Sequence, residues 1–144
     1  MNTVGLSEDQ RARIARAAER VPFGKLLGLQ LTSVEPGLAQ MKLPVRDELR
    51  QNHGIVHGGA IASLIDSVAA FAVIPLLRDD ETATTVDLSI SFLRPLSNGL
   101  ATATAKVQRA GTRIVAVSIE VVDDDDKLIA TALTTYLRMT RRPA

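Results

Sequence analysis

The chain has 144 residues, 46% hydrophobic but only 3% aromatic, with a formal net charge of +1 and no cysteine. That length supports a single domain, residues 1–144, whose core rests on Leu, Ile, Val and Ala. The near-neutral charge excludes a strongly basic nucleic-acid surface, and the lack of cysteine excludes disulfides, thiolate metal sites and a thiol nucleophile. In chain order, Ser7 and Gln10 form a capping box ahead of Ile14, Ala17, Ala18 and Val21 at helical spacing. This predicts a short helix over about 7–21, with a charged outer face and Pro22 as its end. Residues 29–34 and 38–45 read as a hairpin around the turn Glu35-Pro36-Gly37. Residues 46–56 are polar and irregular. Residues 58–77 form a long helix, apolar on nearly every side, which predicts burial all round. Four strands follow in a meander, over 84–93, 100–109, 113–122 and 128–138, and residues 140–144 are a frayed tail. In the first of these strands Val86, Leu88, Ile90 and Phe92 alternate with Thr85, Asp87, Ser89 and Ser91, so the two sets are expected on opposite faces.

The beginning of the chain, Met1 to Gln10, has no basic stretch followed by an apolar core, so no signal peptide is expected and the cytoplasm is the default location. The twenty residues between His57 and Arg78 have the length of a membrane span. Asp66 in their middle would cost about 2.5–3.5 kcal/mol there, and Pro75 weakens the case further, so a buried central helix is expected instead. A half-apolar antiparallel sheet needs a cover, and only this helix can supply it. The fold class is therefore α+β: a six-stranded antiparallel sheet wrapped around a long central helix, with a short N-terminal helix and a core over about 23–138.

The chemistry concentrates in residues 51–66. A helix starting at Gly58 exposes unpaired backbone N–H groups at Gly58 and Gly59, backed by the helix dipole. Glycine leaves them open to a substrate carbonyl, and such donors stabilise an oxyanion. Asp66 can attack that carbonyl or activate a water. Eight residues of helix separate Asp66 from Gly58 by roughly 12 Å and turn them to different faces. If both act on one carbonyl, two subunits must share the site, so at least a homodimer is expected. His57 flanks the glycines. Asn52 and Gln51 are candidates for orienting water or holding the loop. Thr85 is a candidate for binding water near Asp66, or an ordinary strand threonine. Arg94, Lys106, Arg109 and Arg113 are candidates for the phosphates of an anionic substrate. The run Asp123 to Asp126 has neither the spacing nor the glycine of a calcium loop, and no metal site is expected.

Taken together, Gly54, His57-Gly58-Gly59 and Asp66 nine residues beyond the histidine resemble the hotdog-fold acyl-CoA thioesterases of the PaaI-type, phenylacetate-pathway family. The stretch Phe-Gly-Lys-Leu-Leu-Gly-Leu at 23–29 resembles that family's lead-in to its first strand. Val-Asp-Leu-Ser-Ile-Ser-Phe-Leu-Arg-Pro at 86–95 resembles its third strand, so the resemblance covers about 23–138. It implies the hotdog fold and hydrolysis of an acyl- or aryl-CoA to the free acid and CoA, with no cofactor, by a homodimer or homotetramer. The resemblance assigns Gly58 N–H to the thioester carbonyl, Asp66 of the partner subunit as nucleophile or general base, and Thr85 to the water. It also implies an asparagine six residues before the histidine. Gln51 stands at that place and Asn52 one later, so either is the candidate. Two alternatives remain: a non-catalytic acyl-CoA-binding hotdog protein, and a hotdog enoyl-CoA hydratase, whose Asp-His pair is not found here.

Overall fold

The computed structural model describes residues 5–143. Met1 to Val4, and Ala144 of the expected tail, lie outside the described residues. Helix α1 (Glu8–Glu19) starts at the expected cap, where Ser7 Oγ accepts from the Gln10 N–H at 3.2 Å and the Gln10 side chain accepts from the Ser7 N–H at 2.8 Å. Pro22 ends that helix and also opens another. It lies in the first turn of α2 (Pro22–Leu27), where its missing N–H costs nothing. Gly28 closes this helix at φ 77, in the left-handed region that favours glycine. Residues 23–29 are therefore mostly helix, and they lead directly into the first strand at Gln30.

Strands β1 (Gln30–Glu35) and β2 (Leu38–Pro44) form the expected hairpin. The stretch expected to be irregular contains a 3-10 turn at Asp47–Leu49 and a bridge between Arg50 and Val56. Helix α3 (Gly58–Val73) follows. It stops short of the expected residue 77 because Pro75 has no N–H for the α ladder, and the chain tightens into a 3-10 turn at Ile74–Leu76. Strands β3 (Glu81–Phe92), β4 (Leu100–Ala110), β5 (Ile114–Val122) and β6 (Leu128–Thr140) complete one antiparallel sheet, ordered β1-β2-β4-β5-β6-β3. The last four strands are thus not a simple meander. The crossing helix carries the chain to the far edge, where β3 pairs with β6, and β4 returns to pair with β2.

Helix α3 lies over β2 and β4. The inward residues of β4, Ala101, Ala103 and Ala105, are wholly buried and small, so the helix can approach the sheet closely. Leu64, Ile65 and Val68 fill the gap from above, each contributing about 1.5–3 kcal/mol by burial. Gly58–Leu76 is long and apolar enough to cross a membrane, yet its apolar face packs on this sheet. Burial all round is not found. Ala62, Ser63, Asp66, Ser67 and Ala70 form a half-buried stripe along α3. That stripe holds the only charged residue of the helix.

Strand β3 departs from strict alternation at the place that matters most. The pairing steps from Thr85 opposite Tyr136 to Asp87 opposite Thr135, so Val86 is the extra residue of a bulge. The bulge turns Val86 outward, 53% exposed, and lets Thr85 and Leu88 both face the helix. Alternation alone had put Thr85 on the opposite face and Val86 inside.

Where β3 begins, Glu81 is buried, accepting from Arg138 Nη2 at 2.6 Å and from the Arg78 N–H at 2.9 Å. The Arg138 hydrogen bond, followed by the Arg78 N–H, holds its carboxyl below the ordinary value of 4.5 despite its desolvation. A depressed carboxylate contributes stability that is present above its unfolded value and lost as the pH falls through its folded value. Glu81→Gln should therefore lower Tm at pH 7 and flatten the fall of Tm below about pH 4.5. Parallel Tm–pH curves for the two proteins would contradict this.

Candidate active site

Residues 50–57 are anchored by backbone pairing rather than by a regular element. The Val56 N–H donates to Leu96 O at 2.8 Å, and the His57 N–H donates to Leu49 O at 2.7 Å. The Arg50 guanidinium ties the same loop to the β3–β4 connection, donating to the carbonyls of Gly54 and Ser97 and, at 3.2 Å, to Asn98 Oδ1. Its planar fork of donors reaches both segments at once, which a lysine could not do. The sequence carried no signal of this clamp beyond a basic residue in a polar stretch.

The chain then enters α3 with His57 as N-cap. His57 Nδ1 accepts from the Gly59 N–H at 2.8 Å, so the neutral ring carries its proton on Nε2. This settles the two glycines differently from the expectation that both present free donors. The Gly59 N–H is occupied by the cap. The Gly58 N–H, among the described residues, has no partner and stands at the positive end of the helix dipole. Gly58 is needed for space rather than for its φ: a Cβ there would lie 3.3 Å from Cζ of Phe92, whose ring already covers this position. A cavity of about 330 Å³ opens at this point, lined by Gln51, Gly58, Ile61, Phe92 and Arg94 among others.

The other site residues distribute unevenly. Gln51 and Arg94 reach the Gly58 cavity. Asn52 lies on an exposed turn beside it and does not line it. Gln51 Oε1 also accepts from the His53 N–H at 3.2 Å, bracing the turn. Arg113 stands in the β4–β5 turn, where its carbonyl accepts from the Arg138 N–H. That is the Glu81 end of the sheet, away from Gly58. Lys106 lies on the outer sheet face, lining a cavity with Ser89, Ser91 and Leu133, and Arg109 lies beside the Pro36-Gly37 turn. The Asp123–Asp126 run is a turn in which Asp123 Oδ1 accepts from the Asp125 and Lys127 N–H groups.

Asp66 projects from the half-buried stripe of α3 toward β3. Its Oδ1 accepts from Thr85 Oγ1 at 2.8 Å, and among the described residues its Oδ2 has no protein partner. Tyr136 Oη lies 3.1 Å from the Asp66 carbonyl and 3.5 Å from its Oδ1. Thr85 and Tyr136 are direct cross-strand partners, brought to the inner face together by the bulge at Val86. Tyr136 is not among the candidates that motif and spacing single out. Its available signals were that it is the only tyrosine and that it shares the inward parity of Ala130, Ala132 and Thr134 on β6.

Gly58 and Asp66 belong to opposite ends of β3. Gly58 touches Phe92, and Asp66 touches Thr85. Seven residues of strand separate those contacts by roughly 20 Å, and the continuous helix from 58 to 73 separates the two residues themselves by roughly 12 Å. One chain therefore presents an unpaired N–H donor at one end and a hydrogen-bonded carboxylate with a free oxygen at the other. A carbonyl cannot sit about 3 Å from both within one chain.

The chain is similar to known thioesterases in sequence and in fold. Residues 53–130 match a family model described as the thioesterase superfamily. The medium/long-chain acyl-CoA thioesterase YigI of Salmonella typhimurium is 30% identical over 132 residues, covering 81% of this chain and 85% of that protein. The PaaI protein from the phenylacetic acid degradation operon of E. coli superposes with a TM-score of 0.80 at 29% identity, over 90% of this chain and 91% of that one. A thioesterase of Haemophilus influenzae, HI1161, shares the fold at a TM-score of 0.84 and 20% identity, over 96% of this chain and 94% of that one.

Proposed function

Since the chain belongs to the thioesterase superfamily, with the hotdog fold of the PaaI-type members, and is a thioester hydrolase, we propose that it cleaves acyl-CoA thioesters in the cytoplasm to a free acid and CoA. The observation that carries the mechanism is the Asp66 carboxylate, held through Oδ1 by Thr85 with Oδ2 open. In this reading the Gly58 N–H takes the developing negative charge of the thioester oxygen. Asp66 Oδ2 either removes a proton from the attacking water or attacks the carbonyl itself. Gln51 orients the reacting group beside Gly58, and Arg94 at the rim of the same cavity meets the anionic part of CoA. The route uses this chain's own groups and water. The name of YigI supports a CoA thioester as substrate.

The site is completed by a second copy of the chain. The support is the separation of Gly58 from Asp66, together with the free edge of β3, the 12-residue strand at the end of the sheet. A long uncovered edge strand is a template for pairing with its own copy. Antiparallel β3–β3 pairing about a two-fold axis at Ser89, with Val86 as the bulged extra residue, would set Thr85 opposite Phe92 of the other chain. Asp66 would then lie next to the other chain's Gly58, giving two equivalent sites.

The test is CoA release followed with a thiol-reactive dye across aryl-, short-, medium- and long-chain acyl-CoAs. The protein has no cysteine, so it adds no background. Turnover of at least one class is expected. Saturable binding of acyl-CoA with no release from any class would refute the proposal.

A further inference from the structure

We propose that Tyr136 is a positioning residue: its buried hydroxyl pins the Asp66 carboxylate in the orientation from which it acts. The inference rests on the reading of Asp66 given above. Thr85 alone holds Oδ1 of the carboxylate from one side only. Tyr136 approaches from the other strand, with its hydroxyl 3.1 Å from the Asp66 main-chain oxygen and 3.5 Å from Oδ1. Its single proton is shared between the main-chain oxygen, the nearer acceptor, and Oδ1 of the same residue, tying α3 to β6. Tyr136 is only 4% exposed, so its own ring cannot drift. It faces Thr85 across the β3–β6 ladder, and the bulge at Val86 is what keeps both hydroxyls on the inner face.

Tyr136 keeps that proton throughout the working range. Burial, with the Asp66 charge as a smaller cause in the same direction, pushes its phenol up to about 12, against a lesser opposing hydrogen bond from Thr85. The charged groups that share its cavity are Arg78, Asp79, Glu81 and Arg141, from the start of β3 and the end of the chain. Glu81 is neutralised by Arg138, so Asp66 is the carboxylate in contact with the phenol.

Tyr136→Phe removes the hydroxyl and keeps the ring. The expected result is a kcat about tenfold lower with KM changed less than about twofold, within the ~10²-fold that a small misplacement of a reacting group can cost. The acid limb of the kcat–pH profile should move to higher pH, because the carboxylate has lost a donor. A purely structural role would instead lower Tm and leave that limb in place. A folded Tyr136→Phe protein with wild-type kcat and acid limb overturns the inference.

A second measurement holds even if that variant fails to fold. The chain has one tyrosine and no tryptophan, so its intrinsic fluorescence comes from Tyr136 alone. Hydrogen bonding to a carboxylate quenches a phenol, so titrating the native protein downward from pH 8 should show an emission change as Asp66 protonates. Asp66→Asn should abolish that change while leaving Asp79 and Glu81 in place. An identical titration in Asp66→Asn overturns the coupling. The two readings fail separately. Turnover by Asp66→Asn would remove Asp66 from the reaction, whereas a dead Asp66→Asn beside an unaltered Tyr136→Phe would remove only the positioning role.

Discussion

Asp66→Asn is expected to fold normally and to lose about 10²–10⁴ of its turnover, the range that a positioned acid–base group supplies. The substitution keeps the shape of the side chain. The amide oxygen can still accept from Thr85 Oγ1, so the 2.8 Å contact that orients the group survives. What disappears is the proton-accepting or nucleophilic oxygen at Oδ2. The residue is half-buried and its contacts are polar, with Thr85 and Tyr136, so no apolar core contact is lost with it. The decisive measurement is kcat for the best acyl-CoA of the panel, alongside Tm. Wild-type kcat in the folded variant would end the role of Asp66. A single turnover in water enriched in oxygen-18 separates the two routes. Attack by the carboxylate gives a mixed anhydride, and water that opens it at the Asp66 carbonyl leaves label in Asp66, a result that direct attack by water on the thioester, which labels only the released acid, cannot give.

The second large effect comes from mixing two inactive proteins. Gly58→Pro removes the one free N–H at the helix start while suiting its geometry. Proline is favoured in the first helical position, and His57 before it already has φ -62 and ψ 134, the extended conformation that a residue preceding proline adopts. Its cost should fall on the oxyanion, about 10²–10³ in rate. Some crowding of Phe92 is also expected, and Gly58→Ala, which crowds the ring but keeps the N–H, gauges it. Unfolding and refolding Gly58→Pro together with Asp66→Asn should restore activity. In an equal mixture half of the dimers are mixed, and each of those has one intact site out of two, so about a quarter of wild-type activity is expected. If the mixture is as inactive as its parts, each site lies within one chain and the shared-site model is wrong.

Much of the fold was legible in the sequence because its signals are local. The capping box at Ser7 and Gln10, the alternation along residues 100–109 and 113–122, and the apolar run from Gly58 each follow from the period of side chains along a helix or strand. Pro22 reads as the end of a helix, whereas Pro75 falls inside the helix expected over 58–77. A proline also opens a helix or tightens a turn, and only the surrounding packing decides between these uses. The position of β3 beside β6 was beyond local reading, because strand order depends on where the long helix delivers the chain.

For the site, the sequence by itself determined which groups are present: a glycine at a helix start, a lone carboxylate within an apolar helix, and too much helix between them for one chain to use both. Those conclusions need only the rise of a helix and the reach of a hydrogen bond. The tertiary structure decided how the groups are held. His57 takes the Gly59 N–H and leaves that of Gly58 free, which depends on a side-chain rotamer that no spacing reveals. Arg50 joins two loops far apart in the chain. The bulge at Val86 brings Thr85 and Tyr136 onto Asp66, because one extra residue in a strand reverses the face of everything beyond it, and only the pairing partner shows where that residue sits.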